Sequence, residues 1–211
     1  MAFCSWRGGK GQTRLERFLT LCAQENMIIV NPTTPAQYFH ILRKQVLGRI
    51  DIPLILFTPK SLLRLPEAKS SKEEITNGKF YTIIDDNISK KDSVNKIILT
   101  SGKVYYDLEK HRTEHNIDHT AIVRIEQYFP FDVKLLMEIV KNYNNANSIY
   151  WVQEEPINMG AWSFINNILG DILPNNLILN YIGRKESPSP ASGSTKEFNK
   201  TQEELVQNAF D

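Results

Sequence analysis

Residues 96–115 read KIILT-SGK-VYYDLEKHRTEH, and this stretch decides the fold class. Lys96–Thr100 is a short apolar run with strand character. Ser101-Gly102 makes a turn, and the residues from Lys103 to about His115 carry a helical pattern. A buried strand that turns directly into a helix is the repeating element of layered α/β proteins. The same alternation continues downstream. Thr120–Ile125 reads as a strand, and Pro130 opens a helix carrying Val133, Leu136, Met137 and Val140. Ser148–Gln153 reads as a strand that leads through Gly160 into a helix around Ala161–Leu173. Leu177–Ile182 reads as the last strand.

Upstream the pattern is the same. Leu15, Phe18, Leu19 and Cys22 recur at helical spacing, which predicts an amphipathic helix over Thr13–Gln24. Met27–Val30 is a buried strand. Thr33 and Thr34 then precede Pro35, a residue suited to the first helical position because its missing N–H would be unpaired there anyway. Pro53–Phe57 is the next strand, and Pro59 opens one further turn over Lys60–Arg64. Leu65–Asn77 holds Pro66, Ser70, Ser71 and several charges, and interrupts the alternation as a linker between two units. After the last strand, Ser187–Ser194 is rich in proline and serine, and Glu197–Ala209 reads as a terminal helix. The expected architecture is a three-layer α/β/α sandwich with a mostly parallel sheet, preceded by part of a second α/β domain.

Composition narrows the class of partner. The chain has 211 residues, 41% of them hydrophobic, and a formal net charge of +1. Such a near-neutral chain has no field to gather nucleic acid or an anionic membrane. Its longest apolar run, around Ile52–Phe57, is the length of a strand and far short of a bilayer span. The start of the chain, MAFCSWRGGKG, lacks the apolar segment of a signal peptide. Cys4 and Cys22 sit in no paired or metal-ligand spacing, which points to a reducing compartment.

Four places carry chemistry-bearing residues, and each has a plain structural alternative. His111 and His115 share a helix face at a zinc-binding spacing, but no third ligand follows, and His40 and His119 stand apart; a solvated face accounts for them better. The turn Thr100–Lys103 offers helix-terminal N–H groups and a lysine to an anion, although it lacks the glycine spacing of a phosphate loop. Glu154 and Glu155 follow a strand end, where paired carboxylates serve acid–base work or pair with an arginine. Arg184 and Lys185 follow the last strand and would join Lys103 in a basic pocket if the strands are neighbours.

Several longer runs resemble a known family. TRLERFLTLCAQENMIIVNPTTPAQYFHILRKQ (Thr13–Gln45) and PLILFTPKSLLRLPEA (Pro53–Ala68) resemble the end of the pyrimidine-binding domain of 2-oxoglutarate dehydrogenase. LTSGKVYYDL (Leu99–Leu108), AIVRIEQYFPF (Ala121–Phe131), WVQEEPINMGAW (Trp151–Trp162) and YIGRKESPSPASG (Tyr181–Gly193) then match that family's last domain in order and spacing. The resemblance implies four segments. Residues 1–12 form an atypical leader, and residues 13–65 the end of the pyrimidine-binding domain. Residues 66–77 are a linker, and residues 78–211 the transketolase-like C-terminal domain.

The same resemblance implies the function. Members of the family decarboxylate 2-oxoglutarate on thiamine diphosphate with magnesium, in the tricarboxylic acid cycle. They pass the succinyl group to the lipoyl arm of a dihydrolipoyl succinyltransferase. The family's cofactor site lies upstream of every residue here. The loop before TRLERF, where the family has an active-site histidine, reads Arg7-Gly8-Gly9-Lys10-Gly11-Gln12. No catalytic, cofactor or metal residue is therefore carried over, and the chain alone is expected to be non-catalytic. What the resemblance does imply is a structural role in a homodimer, or with the remainder of the dehydrogenase. It also implies an effector, acetyl-CoA or AMP, held near Ser101, Lys103, Arg184 and Ser187. The expected location is the bacterial cytoplasm, or the mitochondrial matrix in a eukaryote. The rival expectation is a free-standing module that binds the dehydrogenase dimer or an acyl-CoA.

Overall fold

The computed structural model describes residues 3–5 (backbone only), 14–174, 177–190 and 193–211. Most of the atypical leader, including 6–12, lies outside the described residues. The chain forms two sheets. In the second, the strands are β4 (Ile83–Ile84), β5 (Lys96–Thr100), β6 (Thr120–Ile125), β8 (Ser148–Pro156) and β9 (Leu179–Arg184). They stand in the order β4-β6-β5-β8-β9, and only β4 runs antiparallel. Lys96–Thr100 is thus the central strand. Successive side chains on a strand point to opposite faces, and here both faces are apolar. Ile97 and Leu99 enter the main core, whereas Ile98 joins a separate cluster with Val104, Leu108, Ile122, Val152, Leu205, Val206 and Ala209. Helices α4 (Val104–Glu114) and α7 (Thr195–Phe210) supply that second cluster. Helices α5 (Val133–Lys141) and α6 (Trp162–Leu169) cover the other face. This is the expected three-layer sandwich.

The first sheet has the order β1-β3-β2-β7, built from Phe3–Ser5 (β1), Ile28–Val30 (β2), Leu54–Leu56 (β3) and Gln127–Phe129 (β7). Helix α2 (Pro35–Leu47) covers one face through Ile41, against Ile28, Val30, Leu54 and Leu56. Thr34 caps it by accepting a hydrogen bond from the Gln37 amide, with Pro35 at the first position as the sequence suggests. Ile29 and Ile55 point the other way and enter the main core beside Leu15 and Leu19 of helix α1 (Leu15–Thr20). The two units therefore share one hydrophobic core.

β7, like the short strands β1 and β4, was not announced by the sequence. The chain leaves β6 at Ile125, passes Glu126, and pairs Gln127–Phe129 antiparallel with β2, matching Ile29 to Phe129 and Val30 to Gln127. Helix α5 accordingly starts at Val133 rather than Pro130, with Asp132 accepting from the Leu135 amide as its cap. A further unannounced helix, α3 (Lys72–Thr76), lies in the linker. Ser71 and Glu74 form a reciprocal capping box there. Helix α1 ends at Thr20, short of Gln24, and beyond it Gln24 and Glu25 adopt positive φ angles of 51° and 56°. Helix α6 ends at Leu169, short of Leu173.

Between β6 and β7, Glu126 is completely buried. Its carboxylate accepts hydrogen bonds from the Thr33 amide at 2.8 Å and the Thr33 hydroxyl at 2.5 Å. Its carbonyl accepts from the Asn31 amide at 2.9 Å. Arg124 donates to the Thr33 hydroxyl at 3.0 Å, and the Tyr106 hydroxyl donates to the Thr33 carbonyl at 2.7 Å. Burial raises the Glu126 pKa, opposed by Arg124 and the Thr33 hydrogen bonds. Glu126→Ala would leave buried donors unpaired, and should cost roughly 2–4 kcal/mol of stability in urea unfolding. Glu126→Gln should cost less. A carboxyl whose folded pKa is raised loses its stabilising contribution as pH rises through that pKa. The Gln variant should therefore also lose less stability than the parent on moving to higher pH.

Candidate functional site

Strands β5, β8 and β9 are parallel, so their carboxyl ends open on one edge, where ligands of open α/β sheets bind. Lys103 follows β5, Glu154 and Glu155 lie near the end of β8, and Arg184 ends β9. β5 and β9 are not neighbours, because β8 stands between them. Lys103 forms an ion pair with Glu154 and a longer one, 3.8 Å, with Asp107. The edge is consequently charge-compensated, and no simple basic pocket forms.

Helix α7 closes over this edge. Ser194 accepts from the Glu197 amide to cap it, and Leu205, Val206 and Ala209 bury its inner face. Phe198 receives both cations: the Arg184 guanidinium lies 4.4 Å from the ring centre and the Lys103 ammonium 5.6 Å. Such contacts stabilise by roughly 0.5–2 kcal/mol according to how dry they are. Arg184 also donates to Gln202 at 3.2 Å, and Gln202 donates on to Asp107 at 2.8 Å. The Arg184 Nε is buried and has no hydrogen-bond partner among the described residues.

Of the four residues expected at an effector site, the fold brings Lys103 and Arg184 together. Ser101 is buried, and its hydroxyl donates to the Ile125 carbonyl at 2.6 Å. Ser187 is fastened to Asn158 through its main-chain N–H and carbonyl, at 3.1 and 3.0 Å. Neither hydroxyl contacts the two cations.

Sequence reasoning missed Phe198 and Gln202, because nothing in a polar helix announces which strand end it will cover. It also missed Gln153, which is buried. The Gln153 side-chain oxygen Oε1 accepts from the Trp151 indole and from the amides of Ala161 and Trp162, at 2.8 to 3.0 Å, and so fixes the start of α6.

The histidines stand apart from this edge. His111 and His115 stack with ring centres 4.0 Å apart, and Phe210 stacks on His111. His40 contacts the Glu74 carbonyl at 2.7 Å. No group of three or more His, Cys, Asp or Glu among the described residues is placed to hold a metal ion. No described helix is long and apolar enough to cross a membrane. Burial pushes the Cys22 thiol up to about 11, and the Cys22 thiol contacts the Phe18 carbonyl.

A parallel α/β/α domain, joined through one core to part of a second, defines the class. The description "2-oxoglutarate dehydrogenase C-terminal" matches residues 69–210, and "Transketolase, pyrimidine binding domain" matches residues 10–66. The chain belongs to the 2-oxoglutarate dehydrogenase C-terminal family. It is 49% identical over 202 residues to the 2-oxoglutarate dehydrogenase E1 component of Rickettsia prowazekii (strain Madrid E), covering 93% of this chain and 21% of the relative. The E1 component of Cupriavidus necator is 43% identical over 198 residues, and that of Haemophilus influenzae 43% over 199, each with 93% of this chain and 21% of the relative covered. The chain thus spans about a fifth of the length of these curated relatives.

The Glu155 carboxyl is displaced toward neutral pH. Burial first, then the charges of Glu154 and Glu16, push its carboxyl up to about 7, against the pull of Arg184. The unfolded carboxyl ionises near its ordinary value of 4.5 while the folded one keeps its proton, so stability falls as pH rises from there through about 7. Glu155→Gln should flatten that decline when unfolding midpoints are measured across the interval.

Proposed function

We propose that this chain is the C-terminal portion of the decarboxylating component of the 2-oxoglutarate dehydrogenase complex. In this reading it supports the dimer and receives an anionic effector at the Lys103–Arg184 edge. The observation that carries the assignment is 49% identity across 93% of the chain to a protein named as that component. In the whole assembly the component acts on 2-oxoglutarate, with thiamine diphosphate supplying the electron sink and magnesium holding its diphosphate. The succinyl group then passes to the lipoyl arm of the dihydrolipoyl succinyltransferase. A cytoplasmic location goes with this reading. So does the division into residues 13–65, a linker at 66–77 and a C-terminal domain from 78, which the family matches at 10–66 and 69–210 support.

The described residues do not fit the diphosphate–magnesium end of the cofactor. Glu154 is paired with Lys103, Glu126 is buried against Thr33, and Asp132 caps α5. We assign these residues no catalytic step; their work is positioning and binding. Calorimetric titration of the chain with thiamine diphosphate and magnesium should give no saturable heat, and 2-oxoglutarate should release no carbon dioxide. Saturable binding with turnover would overturn this assignment.

At the effector edge, an incoming phosphate or acyl-CoA competes with Glu154 for Lys103, while the Arg184 guanidinium keeps donors unpaired among the described residues, its buried Nε included. A charge-assisted hydrogen bond contributes about 1.5–3 kcal/mol, so Arg184→Ala should weaken AMP or acetyl-CoA binding by roughly tenfold or more. Calorimetry on the parent, on Arg184→Ala and on Lys103→Ala with Arg184→Ala provides the test. Equal affinity in the parent and the double variant would remove this edge from the effector site.

A further inference from the structure

A different crevice opens at the carboxyl ends of β2 and β3, away from the strands that carry Lys103 and Arg184. It has a volume of about 840 Å³ and is lined by residues 32–35, Tyr38, 58–64 and Ala68. That is ample for a small organic ligand. Neighbouring parallel strands end at this place in one sheet, which is the position where such sheets bind ligands. Buried Thr33, held by Glu126 and Arg124, forms a fixed floor. Proline and leucine side chains make much of the wall.

The charged lining is what gives this crevice chemistry. Lys60 and Arg64 border it on the 3-10 turn Lys60–Arg64, and neither has an ion-pair or hydrogen-bond partner among the described residues. Lys91, Lys103 and Arg112, by contrast, are paired, Lys91 with Asp85, Lys103 with Glu154, and Arg112 with Asp86 and Glu109. The N-terminal amides of α2 are already engaged, Ala36 with the Ser70 hydroxyl at 3.0 Å and Gln37 with the Thr34 hydroxyl at 3.2 Å. Anion recognition therefore falls to the two side chains, with the positive end of α2 adding a favourable field. In a 3-10 turn the rise is about 2 Å per residue, so four residues set the two backbone positions roughly 8 Å apart. Both residues line the crevice, and side chains of their length can span such a separation to a shared anion. Tyr38 and Thr58 border the same space.

We propose that this crevice binds a small organic dianion, carrying either two carboxylates or a phosphate monoester on a short carbon body. Lys60 and Arg64 take the charge, and the proline and leucine walls take the carbon. The site is independent of the Lys103–Arg184 edge. The test titrates the 211-residue chain with succinate, with glycerol 3-phosphate and with neutral succinamide, following backbone amide shifts by NMR. One or both dianions should saturate, with shifts centred on residues 32–38 and 58–64, and succinamide should not; which dianion saturates identifies the source of the charge. Lys60→Ala with Arg64→Ala should weaken that binding roughly tenfold or more, as loss of charge-assisted contacts requires. Both side chains are exposed, so this variant should keep the parent's unfolding midpoint. Lys103→Ala with Arg184→Ala should leave the affinity unchanged. Three results overturn the proposal: no saturation by either dianion at about 10 mM, a level excluding even millimolar affinity; unchanged affinity in the Lys60/Arg64 variant; or shifts that map to the Lys103–Arg184 edge.

Discussion

A carboxylate buried between two sheets costs several kcal/mol unless its hydrogen-bonding capacity is filled, and Glu126 is such a group. Thr33 fills it from both its amide and its hydroxyl, while Arg124 steadies Thr33 from the neighbouring strand. This arrangement lies where the chain leaves β6 for β7, so it holds the end of one sheet against the end of the other. It also fixes Thr33 just ahead of the threonine and proline that start α2. The shared hydrophobic core, in which Ile29 and Ile55 of the first sheet meet Ile97 and Leu99 of the second, closes behind it. Apolar contact is tolerant of small slips, whereas a hydrogen-bonded buried carboxylate is not. The core therefore supplies the bulk of the attraction, and Glu126 the precise relation of the units.

The carboxyl edge of the second sheet shows how strand order sets local charge. Had β5 and β9 been neighbours, Lys103 and Arg184 would have stood side by side as a strong anion trap. With β8 between them, Glu154 neutralises Lys103, and Glu155 retains its proton toward neutral pH because burial, and then the neighbouring Glu154 charge, disfavour its ionised form. Helix α7 completes the edge by setting Phe198 against both cations. An anion reaching Arg184 must accommodate this covering. In the crevice at the ends of β2 and β3, by contrast, Lys60 and Arg64 have no carboxylate set between them by the sheet.

Much of the molecule was legible in advance, for definite reasons. The strand–turn–helix unit at 96–115, the proline-started helix at 35–47, and the burial of the central strand on both faces follow from spacing, from turn residues and from the lack of polar positions in KIILT. The family was legible as well, because six long runs occur in the right order. The helix at 72–76 carried its capping residues, Ser71 and Glu74, in plain view, but no apolar stripe followed them to mark a helix. The three-residue strand Gln127–Phe129 had no periodicity to read, since its pairing partner is nearly a hundred residues away in the chain.

The sequence by itself determined the layered α/β class, the positions of most elements and the family, because these depend on local spacing and on ordered motifs. Only the tertiary structure decided which charges meet. Lys103 faces Glu154 and Phe198, Ser101 turns into the backbone of Ile125, and Glu126 closes on Thr33 across 93 residues. Those outcomes depend on strand order and on where a terminal helix comes to rest. The free energy that sets them is collected from contacts between segments far apart in the chain, and no local window of residues contains it.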